Sequence, residues 1–169
     1  NQGANFSVGA NLMLLAVALA EGAYEDIDMM VRAFQKATMA IKLAKVPVVA
    51  APFNMTLGGA SEYCLHAAAI NAYAETYIGM VEVGVGLLPA GGGTKEMCLR
   101  AAELATRHDT DVTPFIFKYF KQIGMAKFSM GAAELFDMGY MRTGDSVSMD
   151  IDRLISDAKQ KVLALSVNY

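Results

Sequence analysis

The sequence predicts an α/β domain whose second half is mostly helical. Three observations carry this. Two short apolar runs, "VPVVAAPF" at 46–53 and "AINAYAE" at 69–75, read as buried strands and lie between helical patterns. From Thr94 onward, helical periodicity with its start and stop residues dominates. With 54% hydrophobic and 18% charged residues in a 169-residue chain, there is material for one domain with large buried surfaces.

In chain order, "GANLMLLAVALAEG" reads as a buried helix closed by Gly22. A second helix follows, with Glu25, Asp26 and Asp28 in its first turn, where the helix dipole favours anions. Ile27, Met30, Val31, Phe34, Thr38 and Ile41 fall on one face; Lys42 and Lys45 sit near its end, and Pro47 stops it. After the first strand, "GGASEYCLHAA" is a turn opening into a short helix. After the second strand, "YIGMVEVGVGLLPAGGGT" is a glycine-rich shaped loop. "TKEMCLRAAELATR" is helical. The next helix is expected to take Thr113 as cap, Pro114 at its first position and Gly124 as stop. "FSMGAAELFDMGY" repeats that pattern with Ser129 and Gly139. A final amphipathic helix carries the stripe Ile151, Leu154, Ile155, Ala158, Val162 and Leu165.

The net charge of −3 gives no basis for a nucleic-acid or anionic-membrane surface. No apolar stretch is long enough to span a bilayer. Cys64 and Cys98 have no metal-ligand spacing and read as buried thiols of a reducing compartment, which makes the expected location cytoplasmic. The twelve methionines are expected to fill the core. The chain opens on "NQGANFSVGANLM", in mid-loop and without an initiator Met, so a piece of a longer protein is expected.

Several motifs fail. "GVGLLP" from Gly84 lacks the third glycine of a dinucleotide fingerprint, and "GGGTK" inverts the order of a phosphate-binding P-loop. No nucleophile elbow surrounds Ser61. His66 reads as a satisfied structural histidine and His108 as a solvated one. Two glycine turns are more specific: in "FSVGAN" and "LGGASE" a tight turn delivers the chain into a helix, whose first N–H groups have no internal partner. Two such groups converging on one point form an oxyanion hole. Between and beyond these turns, Glu62 and Glu82 place carboxylates in the least polar part of the chain.

"FSVGAN", "PVVAAPFNMTLGGASEYCLHA" and "IGMVEVGVGLLPAGGGTKEM" together resemble, in order and spacing, the crotonase (enoyl-CoA hydratase/isomerase) superfamily, with weaker similarity through "FSMGAAELFDMGYM". The details "NMTLGG" and "LLPAGGGTKE" look most like the hydratase part of bacterial fusions that also carry a 3-hydroxyacyl-CoA dehydrogenase. The resemblance implies a crotonase-like ββα superhelix: a single domain over 1–169, with a ββα core part over 1–107 and a helical C-terminal part over 108–169. It also implies that the family's first strands precede the chain.

The implied activity is hydration of trans-2-enoyl-CoA in fatty-acid β-oxidation. The alternatives are a Δ3,Δ2-enoyl-CoA isomerase and a non-catalytic acyl-CoA-binding module. By the resemblance, Glu62 and Glu82 are the catalytic acid/base pair, with Glu62 the base toward water and Glu82 the acid toward C2. The backbone N–H groups of Ala10 and Gly59 form the oxyanion hole, and Ser7, Val8 and Pro89 bind substrate. The implied partner is an acyl-CoA thioester, with no metal and no cofactor in this domain, and NAD only where a dehydrogenase is attached in the parent. Packing is expected to be trimer-like or against that dehydrogenase. Departures from the family pattern include Asn11 for an aspartate, Ala90 for a glycine, Gly84 for a larger aliphatic residue, and a longer 107–126 stretch whose Phe115, Phe117, Tyr119 and Phe120 are expected to pack.

Overall fold

The computed structural model describes residues 3–167 and Tyr169. Two small parallel sheets carry the fold. β1 (Val49–Ala50), β3 (Ala69–Tyr73) and β5 (Ser146–Ser148) form one in the order β1-β3-β5; β2 (Asn54–Leu57) and β4 (Thr76–Gly79) form the other. In the second sheet Asn54 stands opposite Thr76 and Leu57 opposite Gly79. The chain at Phe6–Ser7 runs beside β2, donating Phe6 N–H to Phe53 O and Ser7 N–H to Met55 O at 3.1 Å and accepting from Leu57 N–H at 2.9 Å. The helices are α1 (Leu12–Ala20), α2 (Tyr24–Lys42), α3 (Gly59–His66), α4 (Gly93–Arg107), α5 (Thr113–Gly124), α6 (Glu134–Asp137) and α7 (Leu154–Ser166).

The core lies where α3, α4 and α5 meet the strands. Leu65, Ile70, Ile78, Met80, Met97, Leu135 and Tyr140 are fully buried there. Ser61, early in α3, ties the second sheet to that helix: its Oγ lies 2.7 Å from Thr56 O and 2.9 Å from Gly79 O, and accepts from Gly79 N–H at 3.2 Å. Ser61 is therefore a structural residue.

Several sequence expectations need correction. "VPVVAAPF" forms only the short β1, and the chain re-enters a sheet at β2, just before the expected turn, where the sequence indicated no strand. β4 lies inside the run read as loop, and β5 precedes the last helix inside the part read as helical. Partners, not local periodicity, make these strands: each pairs in parallel with a segment distant in sequence. α1 is not buried. Its Asn11 side chain caps it by accepting from Met13 and Leu14 N–H at 3.0 and 3.3 Å, yet no residue of the helix is buried. α2 ends at Lys42, before Pro47 is reached.

Thr113 is the first residue of α5 rather than its cap; the Asp111 carboxylate accepts the Thr113 N–H at 3.2 Å. Ser129 does not cap a helix but sews the 127–132 segment onto β4, accepting from Ile78 N–H at 3.0 Å and donating to Thr76 O at 3.2 Å. Cys64 is buried but Cys98 is exposed. Met80, Met97 and Met141 are core residues, whereas Met13, Met125, Met130 and Met149 are exposed. Phe117 and Phe120 point outward while Tyr119 is buried, and in the last stripe Leu154 and Ala158 are buried but Ile155 is exposed.

Candidate active site

The two glycine turns meet. Gly9 has φ +96° and Gly58 has φ +59°, a region that side chains with a Cβ rarely enter. A Cβ on Gly58 would stand 3.9 Å from Gly9 Cα and 3.2 Å from Glu82 Oε1. So the Gly9 loop, the Gly58 turn and the Glu82 carboxylate share one place. Gly58 N–H is used by Gly79 O at 2.8 Å, which pins the turn to the end of β4. Gly59 then opens α3, and Ala10 immediately precedes the α1 cap. Among the hydrogen bonds of the described residues, neither Ala10 N–H nor Gly59 N–H has an acceptor. Ser7 is half-buried and its Oγ accepts Gly9 N–H at 3.2 Å; Val8 is exposed; Pro89 is buried.

Glu62 sits in the first turn of α3 and is 1% exposed. Its carboxylate is held by the glycine loop ahead of α4. Gly93 N–H donates to Oε1 at 2.8 Å, and Gly91 N–H lies 2.9 and 3.0 Å from the two oxygens. This explains "GGGT": a Cβ on Gly93 would stand 2.5 Å from Met80 Sδ and 2.8 Å from Glu62 Cγ, and one on Gly91 would strike the Phe34 ring at 2.1 Å. α2 fixes the loop from outside, with Gln35 Nε2 donating to Ala90 O and Thr38 Oγ1 to Gly91 O, both at 2.8 Å. The sequence flagged the loop as shaped but gave no sign that it grips Glu62.

Glu82 opens a 3-10 turn over Glu82–Val85, so Gly84 lies within that turn and not at a direct passage from strand to helix. Its Oε2 is buried and has no hydrogen-bond partner among the described residues. Burial raises the carboxyl to about 7, and the nearby Glu62 charge pushes in the same direction, against the lowering effect of a hydrogen bond from its own N–H. Burial also raises Glu62, but the Gly93 and Gly91 N–H groups oppose it. The two carboxylates therefore feel each other and are differently satisfied.

Beside them lies a second charged cluster. Glu96, buried on α4, takes Lys42 Nζ at 2.6 Å and Lys95 Nζ at 2.9 Å. Lys42, near the end of α2, is thus paired with a buried carboxylate. His66 Nδ1 lies 2.7 Å from Glu62 O and its Nε2 lies 3.1 Å from Lys95 Nζ. An ammonium can only donate, so Nε2 accepts and Nδ1 carries the proton. His66 is buried and its pKa is lowered chiefly by that burial, which fits a neutral structural ring. Among the described residues no group of three or more His, Cys, Asp or Glu is arranged to hold a metal ion.

No family model matches the chain. It is 44% identical, over 98% of its length, to a protein of Bacillus subtilis described as a probable 3-hydroxyacyl-CoA dehydrogenase, and covers 20% of that protein. It is 35% identical, over 55% of its length, to the fatty acid oxidation complex subunit alpha of Shewanella loihica, covering 13% of it. The chain thus spans about a fifth or less of these relatives. Among solved structures, an enoyl-CoA hydratase from a Polaromonas species superposes with a TM-score of 0.75 at 21% identity, over 98% of this chain and 57% of that one. One from Geobacillus kaustophilus gives 0.69 at 21% identity, over 99% and 56%. The chain has the enoyl-CoA hydratase/crotonase fold, and its sequence corresponds to part of proteins named for 3-hydroxyacyl-CoA dehydrogenation and fatty-acid oxidation.

Proposed function

We propose that this chain carries the enoyl-CoA hydratase site of a larger fatty-acid β-oxidation protein, adding water to trans-2-enoyl-CoA to give 3-hydroxyacyl-CoA. The observation that supports it most is the asymmetry of the two carboxylates. Glu62 is gripped by two backbone N–H groups, and Glu82 presents beside the glycine turns a buried Oε2 that has no partner among the described residues. A carboxyl near 7 with a free oxygen is suited to give and take a proton at neutral pH.

In this reading the thioester oxygen lies at Ala10 and Gly59 N–H, and Ser7, Val8 and Pro89 line the substrate path. Water oxygen bonds to C3 while Glu62 takes a water proton. The C2–C3 π electrons shift onto the thioester oxygen, where the two N–H donors stabilise the enolate. Glu82 then delivers its proton to C2 as the enolate collapses. One proton has moved onto Glu62 and one off Glu82, and exchange between the coupled pair restores the starting state.

The hydratase step itself needs no cofactor. Gly84 lies within a 3-10 turn and not where a strand passes directly into a helix, so it does not fit a dinucleotide fingerprint. NAD belongs in this account to a dehydrogenase elsewhere in the parent. We place the protein in the cytoplasm; no described helix is long and apolar enough to cross a membrane. We keep one domain over 1–169, split as 1–107 and 108–169, and propose that it packs with copies of itself or against the fused dehydrogenase.

The test follows loss of the conjugated enoyl-thioester absorbance with crotonyl-CoA and longer trans-2-enoyl-CoA substrates, using the full-length parent. Hydration is expected. Double-bond migration without hydration would make it an isomerase, and tight acyl-CoA binding with neither reaction would make it a binding module.

A further inference from the structure

The edge of β4 that feeds the Glu82 turn is held by the C-terminal part of the chain. Ser129 covers it first: Ser129 N–H donates to Ile78 O at 2.9 Å, and its Oγ bonds Ile78 N–H and Thr76 O. The last tie is Tyr140. This tyrosine is 1% exposed, and its hydroxyl accepts Met80 N–H at 3.0 Å, two residues before Glu82. The Gln122 side chain lies at the same hydroxyl, which sits within the field of Glu82 and of Arg100. The tyrosine is itself fixed from α4. The buried Arg100 donates through Nη1 to Gly139 O and Tyr140 O, each at 2.9 Å, and through Nη2 to Leu65 O at the end of α3 at 3.3 Å. One guanidinium therefore references the Tyr140 backbone to the helix that carries Glu62, and the Tyr140 hydroxyl references the Glu82 turn to the same frame.

We propose that Tyr140 is a positioning residue, which sets where the Glu82 carboxylate stands relative to Glu62 and the two glycine turns through its hydrogen bond from Met80 N–H. This rests on the hydratase reading. A tyrosine kept only for packing would need no hydroxyl here, and Phe would fill the same space. The hydroxyl supplies the acceptor that Met80 N–H would otherwise lack in a dry interior. Without it, the Glu82 turn can relax toward water. Glu82 would then lose part of the burial that raises its pKa, and the proton donor would drift from C2. The charged group that acts on Glu82 at this site is Glu62, and Tyr140 faces Arg100 and Glu82.

The test compares Tyr140→Phe with Tyr119→Phe in the full-length parent. Tyr119 is equally buried in the same core but stands against Gly139, with no bond to the Glu82 turn. Tyr140→Phe is expected to lower kcat for enoyl-CoA hydration about 10-fold or more, since misplacement by about 1 Å can cost on the order of 10²-fold. KM should hold within about twofold, because substrate-binding groups are untouched. The upper-pH limb of kcat should move to lower pH as Glu82 is rehydrated. Tyr119→Phe should keep both kcat and limb. If Tyr140→Phe only lowers the melting temperature and otherwise matches Tyr119→Phe, the proposal is overturned. Should Tyr140→Phe fail to fold, Gln122→Met is read the same way: a smaller fall in kcat with the same limb shift supports the proposal, and an unchanged profile overturns it. A wild-type parent that does not hydrate would defeat the hydratase reading and this one together, whereas an active wild type with an unaffected Tyr140→Phe defeats only this one.

Discussion

Glu82 and Glu62 differ because their surroundings differ. Glu82 has a buried oxygen without a partner among the described residues and a carboxyl raised to about 7; Glu62 has two backbone donors. A raised carboxyl has a definite consequence for stability. Between its ordinary value of 4.5 and about 7 the folded protein holds a proton on Glu82 that the unfolded chain has released. The stabilisation linked to that proton is thus complete below about 4.5 and is lost as pH rises toward 7. Thermal melts of the parent should show wild type losing stability relative to Glu82→Gln across that window. A flat difference would mean that Glu82 is not raised. The sequence singled out both carboxylates through the glycine segments around them, but not their difference, to which Gly91 and Gly93 contribute, residues that only the fold brings to Glu62.

At the scale of elements, the glycine loop before α4 is a cradle with no room to spare. Gly93→Ala would place a Cβ 2.5 Å from Met80 Sδ and 2.8 Å from Glu62 Cγ. It should cost about 1–3 kcal/mol of stability and lower turnover by pushing Glu62 aside. Melting temperature and kcat measured on one preparation check both. Unchanged values would show that the loop is not tightly packed on the carboxylate. Arg100 is the corresponding anchor at the far ends of α3 and α6. Arg100→Met leaves three buried carbonyls without their donor and should cost about 3 kcal/mol or more in chemical denaturation. Long helices with clear periodicity, such as α2 and α4, were legible in the sequence. β2, β4 and β5 were not, because three or four residues carry too little pattern and their identity depends on parallel partners far along the chain.

For the molecule as a whole, exposed apolar surface sets how the chain is expected to behave alone. α1 is apolar on every side yet buries no residue, and Phe117, Phe120, Met125 and Met130 stand outward on and after α5. Single exposed apolar residues are ordinary, but a helix apolar all round is normally covered. Produced by itself, the 169-residue segment should associate, giving a light-scattering mass above its 18.1 kDa; a monodisperse monomer would contradict this. The three segments quoted above sufficed to expect the crotonase fold, because together they match its glycine turns and spacing in order. The degree of exposure could not be read from them, since an apolar run looks the same whether it faces a core or another surface.

The claim that joins these scales is that Glu62 and Glu82 form one proton-handling pair. The most direct measurement is kcat for trans-2-enoyl-CoA hydration by the full-length parent and by Glu62→Gln and Glu82→Gln. Gln keeps the shape of the side chain and cannot exchange the proton. Each variant is expected to lose about 10²-fold or more in kcat with little change in KM. Near-wild-type turnover in either would contradict the account, because that residue would then be neither the acid nor the base.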